Sequence, residues 1–195
     1  INMYEGMDFI DKDGNIRWTH FGEGSYDEAE KQIRDLLGET GDKAGVTGET
    51  TQPTRGQSPE TYLGTRRASG NETRLETGER DYGQNPAPGA TNRWSLSGSW
   101  TAGDESITAA RDGAQLNYRF AGREMFLVMD GPAGAKVRVQ VEGGGPPGGA
   151  DVQGEEVTIS GARLYRLVRL PEATRGTTVT LTFDKGVSAN AFTFG

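Results

Sequence analysis

The stretch "KVRVQVE", residues 136 to 142, puts Val137, Val139 and Val141 on one side of an extended chain and Lys136, Arg138 and Gln140 on the other. A strict two-residue period of this kind marks a half-buried β-strand. The same period recurs in "AQLNYRF" (114–120), through Leu116, Tyr118 and Phe120, and in "TTVTLTFD" (177–184), through Val179, Leu181 and Phe183. Working outward, short β-like runs separated by Gly turns fill residues 93–100, 105–110, 114–120, 124–130, 136–142, 155–160, 162–170, 177–184 and 188–195. About nine strands at this spacing predict an antiparallel β-sandwich or jelly roll. The loop "EGGGPPGGA" (142–150) is read as irregular and mobile.

The region before Trp94 has a different texture. Residues 8–21 read as a β-hairpin turning at "DKDGN" (11–15), whose Asp-Gly pair suits a tight turn. Ser25 and Glu28 then fit a capping box, and Tyr26, Ala29, Ile33, Leu36 and Leu37 fall on one helical stripe ended by Gly38. Residues 38–58 are polar and Gly-rich and read as a flexible linker. In "SPETYLG" (58–64) the Ser-Pro pair reads as a helix or turn start, with Tyr62 and Leu63 as anchors. Residues 65–92 are expected to run along a surface, with one strand near Thr73 to Leu75. The expected domains are thus 1–38, a linker and extended segment 39–92, and a sandwich 93–195.

Composition narrows the function classes. The chain has 195 residues, only 33% hydrophobic, and its net charge of −7 argues against nucleic acid and anionic membrane as partners. It contains no Cys, which removes a thiol redox centre, a disulfide framework and a Cys-ligated zinc site. A single His, His20, leaves little for His-based metal binding or general-base catalysis. No apolar run reaches the ~18 residues a membrane-spanning helix needs. Ile1 is not an initiator residue, so a processed or truncated chain is expected.

The combination "FIDKDGNIRWTHFGEGSYDEAEKQIRDLL" (9–37), "SPETYLG" (58–64), "WSLSGSW" (94–100) and the terminal "AFTFG" (191–195) resembles the C-terminal region of DipZ-type thiol:disulfide interchange proteins. The resemblance implies the last hairpin and helix of a thioredoxin-like (redoxin) domain, followed by a sandwich resembling a carbohydrate-binding module. It further implies an extracytoplasmic, membrane-tethered parent with a Cys-x-x-Cys centre. That motif matches no position here, so no catalytic residue is carried over, and the chain itself is expected to lack oxidoreductase activity. A hairpin and helix without their sheet would leave Ile33, Leu36 and Leu37 seeking a partner. The candidates are the sandwich, a second copy, or the remainder of the thioredoxin-like domain, reached through the face of helix 26–37.

For a glycan ligand, aromatic rings are the natural platforms, because a pyranose face stacks on them. Among Tyr82, Trp94, Trp100, Tyr118 and Tyr165, parity with Leu96 assigns Trp94 to the core, and parity with Leu116 and Phe120 does the same for Tyr118. Trp100, at an apparent strand end, and Tyr165, on a strand face shared with Arg163 and Arg169, remain as platform candidates. An Arg beside a Tyr could hold a carboxylated sugar. Against this stands an ordinary solvated face, with Arg stems covering apolar surface. A jelly roll can also carry structural Ca²⁺. Asp104, Glu105 and Asp184 sit near loops, but no dense Asp-x-Asp pattern supports such a site. No carboxylate pair nominates a glycoside hydrolase. The reading is a non-catalytic glycan-binding or targeting module, with a structural docking domain as its alternative.

Overall fold

The turn at Asp11–Asn15 shows how local chemistry starts the chain. The Asp11 carboxylate accepts from the N–H groups of Asp13 and Asn15, and Gly14 takes the left-handed φ of +85° that closes the turn. It joins β1 (Gly6–Ile10) to β2 (Ile16–Phe21), which pair antiparallel and bring Phe9 edge-on to Trp18 at 5.1 Å. Helix α1 (Tyr26–Leu36) follows. In this computed structural model the chain divides into two compact units, Ile1–Thr50 and Thr51–Gly195, and the residues described are 6–21, 26–36, 38 and 56–195. Ser25, Leu37, the stretch 39–55 and the side chains of His20 and Tyr26 lie outside the described residues. In the first unit Ala29 is buried, while Ile10, Ile16, Ile33 and Leu36 all stay more than a third exposed.

The second unit is an antiparallel β-sandwich. Its strands are β3 (Thr61–Tyr62), β4 (Gly78–Asp81), β5 (Arg93–Ser97), β6 (Ser99–Ala102), β7 (Ile107–Ala109) and β8 (Ala114–Asp130). They continue with β9 (Lys136–Val141), β10 (Val152–Gln153), β11 (Glu156–Thr158), β12 (Arg163–Phe183) and β13 (Ser188–Phe194). The runs expected at 114–120 and 124–130 are one strand, and so are those at 162–170 and 177–184. Strands β8 and β12 pair along almost their whole lengths and bend together near Gly122 and Thr174, where the register shifts. One half of this pair carries β5 on one side and β9, β11 and β10 on the other. The other half continues through β13 to β7, β6 and β4.

The inward residues of the two halves form one core. Trp94, Leu96, Leu116, Tyr118, Val139 and Leu181 come from one side, and Trp100, Leu127, Met129, Tyr165, Phe192 and Phe194 from the other. Tyr118 meets Phe192 and Phe194 at 5.0 and 5.2 Å. The alternation read in 114–120, 136–142 and 177–184 matches the burial pattern.

Three expectations need correction. The sandwich begins before the expected boundary at residue 93: the extended segment 58–92 is part of it, with β3 paired to β13, β4 paired to β6, and the expected anchor Leu63 fully buried. The Ser-Pro pair leads into β3, and Ser58 is held by Ala121 on both its N–H and its hydroxyl. The strand expected at Thr73–Leu75 is absent, because Arg74 sits at φ +50°, outside the extended region; β4 forms instead at Gly78–Asp81. The loop 142–150 is irregular, yet its second half is docked. Pro147 is buried and its carbonyl accepts from Arg169 N–H, while Gly149 presses against the backbone of Arg166 and Leu167.

Candidate functional site

The expected platforms are buried. Gly98, at φ +76°, carries the chain from β5 to β6, and with that change of layer the side-chain parity restarts. Trp100 therefore lies within a strand rather than at its end. It is fully buried, edge-on to Phe183 at 5.1 Å, with its indole N–H donating to Ser97 O. Tyr165 is also fully buried. Its hydroxyl donates to Gly161 O at 2.7 Å and accepts from Ser160 N–H at 2.9 Å. Neither ring offers a face to a ligand.

The two arginines of the same strand serve the fold. Arg163 stacks over the Tyr165 ring at 3.8 Å and pairs with Asp151 at 2.9 Å. Arg169 pairs with Glu124 at 3.6 Å. A bulge between Arg166 and Val168 breaks the expected parity, so Leu167 and Val168 are both buried and Leu164 is exposed. Burial pushes the Asp151 carboxyl up, but the hydrogen bonds from Arg163 and the Arg166 N–H outweigh it and hold the group below the usual aspartate range. Among the described residues no group of three or more Asp, Glu or His side chains stands close enough to hold a metal ion. Asp184 instead accepts from the Lys136 N–H.

A different place gathers polar and aromatic groups. A cleft of about 250 Å³ opens beside Tyr62, with Arg66, Arg67, Asp104, Glu105 and Asn190 around it. Its floor is set by strand pairing: Tyr62 lies opposite Ala191 on β13, and Leu63 N–H donates to Asn190 O. Adjacent residues of a strand face opposite ways, so Leu63 enters the core and Tyr62 turns outward. The chain then makes a tight turn at Gly64. Its N–H groups at Thr65 and Arg66 donate to Gly103 O and Asp104 O. A Cβ at Gly64 would stand 2.3 Å from Asp104 O, so only glycine lets the two segments approach this closely.

The Arg67 guanidinium lies over the Tyr62 ring at 3.6 Å, and the Tyr62 hydroxyl donates to Glu60 at 2.9 Å. That hydrogen bond, then partial burial, raises the phenol above its ordinary value, so it stays a neutral donor at physiological pH. Arg66 and Glu105 approach only to 4.0 Å and both are largely exposed, a pairing of little energetic weight. The arrangement combines a ring and a planar cation with carboxylates and an amide, groups that can bind a ligand having one apolar face and many hydroxyls.

Comparisons with known proteins agree with the sequence-level resemblance. The chain is 25% identical over 197 residues to Protein DipZ of Mycobacterium bovis and to Protein DipZ of Mycobacterium tuberculosis, covering 95% of this chain and 26% of each relative. It thus spans about a quarter of the length of the curated relatives it matches. Among solved structures, it is similar to a family two carbohydrate esterase from Clostridium thermocellum in complex with cellohexaose, at 17% identity and TM-score 0.38, over 47% of this chain and 27% of that one. It is also similar to CsCBM6-3 from Clostridium stercorarium in complex with cellobiose, at 15% identity and TM-score 0.32, over 46% of this chain and 72% of that one. The family model described as thioredoxin like C-terminal domain matches residues 58–195, and the chain belongs to that family.

Proposed function

We propose that this chain is the non-catalytic C-terminal part of an extracytoplasmic thioredoxin-like thiol:disulfide interchange protein, and that its sandwich binds glycan and so holds the redox centre near its targets. The family match and the relationship to DipZ support the first half. Disulfide exchange proceeds through a thiolate, and a chain without Cys supplies none. The observation that carries the second half is the Tyr62 cleft, where an outward aromatic ring, two arginines, Asp104, Glu105 and Asn190 meet on one surface. Trp100 and Tyr165 play no part in it.

The test is calorimetric titration of the full chain with a panel of soluble cell-envelope oligosaccharides, repeated with Tyr62→Ala. Saturable binding that the substitution weakens by about tenfold or more, the effect of losing one good contact, supports the reading. No heat across the panel, or heat indifferent to the substitution, rejects it. Because all the tryptophans of the sandwich are buried away from this cleft, intrinsic tryptophan fluorescence is a poor reporter.

A second reading is favoured by the first unit alone. Ile10, Ile16, Ile33 and Leu36 leave a small motif with little core of its own. In that reading the hairpin and helix dock on the remainder of a thioredoxin-like domain. Addition of that remainder should protect residues 8–36 from protease; unchanged cleavage argues against it.

A further inference from the structure

Strand β12 carries a wide excursion where it bends. Its register on β8 runs from Arg169↔Glu124 to Thr174↔Gly122 and then to Thr177↔Phe120, so residues 170–173 swing out of the ladder. Such bulges bend a strand and re-aim its side chains. Here the excursion builds one wall of a cleft of about 380 Å³, lined by Gly56, Gln57, Thr91, Gly122, Thr174 and Arg175. Thr91 donates to Arg175 O, and Thr174 accepts from Gly176 N–H, so the wall is fixed by its own hydrogen bonds. Gly122, at φ +135°, holds the opposite wall against Gly195 O.

The charge at this corner is opposite to that of the chain. Arg119 packs under Gly176 and lies directly opposite Arg93 across the β5–β8 ladder. Glu142 pairs with Arg119 at 3.1 Å. Among the described residues Arg93 and Arg175 take part in no ion pair. Arg175 lines the cleft; Arg119, paired with Glu142, packs under Gly176 at its edge with Arg93 opposite it on the ladder, and Glu172 lies on the excursion itself. Like charges directly opposite on a ladder are destabilising, and a bound anion relieves them. An unpaired guanidinium presents a planar fork that matches a carboxylate or phosphate.

We propose that this cleft binds an oxyanion group, carboxylate or phosphate, of an anionic ligand, through Arg175 with Arg93 in support. The site is separate from the Tyr62 cleft and stands whether or not that cleft binds sugar. Its test is an amide NMR titration of the full chain with trigalacturonic acid, with glycerol 3-phosphate, and with neutral maltotriose. The expected result is a saturable shift of the Thr91, Gly122, Thr174 and Gly176 amides by at least one of the anions and none by maltotriose. Response to the uronate alone assigns a carboxylate, to the phosphate alone a phosphate, and to both a site selective for charge.

Arg175→Gln should weaken binding about tenfold, the usual effect of losing a charged hydrogen bond. Arg111→Gln, an exposed arginine elsewhere, should leave it unchanged, as should Tyr62→Ala. No saturable shift with either anion overturns the proposal, and so does an equal loss in the Arg111 and Arg175 variants. Arg175 is exposed, so its variant is expected to fold, and a dispersed spectrum verifies this in the same experiment.

Discussion

Trp100 and Phe183 meet edge-on across the core, 5.1 Å between ring centres, and by that contact a β6 side chain locks onto the far end of β12. Trp100→Ala removes this contact and leaves a cavity. It should destabilise the sandwich by about 3–5 kcal/mol, read as a lowered denaturant midpoint. A surface tryptophan serving as a sugar platform would cost almost nothing on replacement. A change below about 0.5 kcal/mol would contradict the burial.

Residues 56–92 are expected to be indispensable to the fold. The Thr61 and Tyr118 hydroxyls share a buried hydrogen bond of 2.7 Å, and Leu63 completes the core. Burial raises the Tyr118 phenol, with Thr61 and Ser58 pulling the other way, so the hydroxyl stays protonated and needs its partner. Thr61→Val should cost about 1–3 kcal/mol by removing this buried hydrogen bond. A polypeptide beginning at Gly56 should give a dispersed amide spectrum, whereas one beginning at Arg93 should not.

Two glycines of one loop should behave differently. A Cβ at Gly149 would fall 2.2 Å from Arg166 O, while at Gly145 it would meet nothing within 4 Å. Gly149→Ala must push the loop off β12 and should cost about 1–3 kcal/mol. Gly145→Ala should be close to neutral. Thermal melts of the two variants decide this directly.

The same docking should depend on pH. The folded Asp151 pKa lies below its ordinary value, so the stability it adds is fully present above about pH 4 and is lost as pH falls through the lower, folded value. Its carboxylate holds Arg166 N–H and Arg163. After correction for intrinsic rates, hydrogen exchange at Arg166 should be flat from neutral pH to about 5 and should rise below about 4. In Asp151→Asn that acid dependence should vanish.

The sandwich was legible where one face of a strand is polar and the other apolar. Val137, Val139 and Val141 announce their side without help from neighbours. The reading failed where parity changes inside a run. Gly98 moves the chain between layers and so hides the burial of Trp100, and the bulge at Arg166–Val168 does the same for the face of Tyr165. The membership of segment 58–92 in the sandwich is hard to see from sequence because it enters the core through few side chains, the anchor Leu63 foremost, among polar residues. The Tyr62 cleft had a faint local sign, two adjacent anchors of which only one can face inward. Its other walls come from residues 104–105 and 190, which no sequence window unites.

The pairing of β3 with β13 also sets a timetable. Thr61 is among the first residues of the sandwich to leave the ribosome, and its ladder partner Phe192 is among the last. Nearly the whole module must therefore be synthesised before its first strand finds its neighbour. Until then Leu63 and the inner face of β8 stay uncovered. Closure of so long a loop is slow, and exposed edges invite misassociation. Folding of this domain should accordingly wait until the residues of β13 have emerged, and the incomplete nascent chain should be a client for holding factors until then.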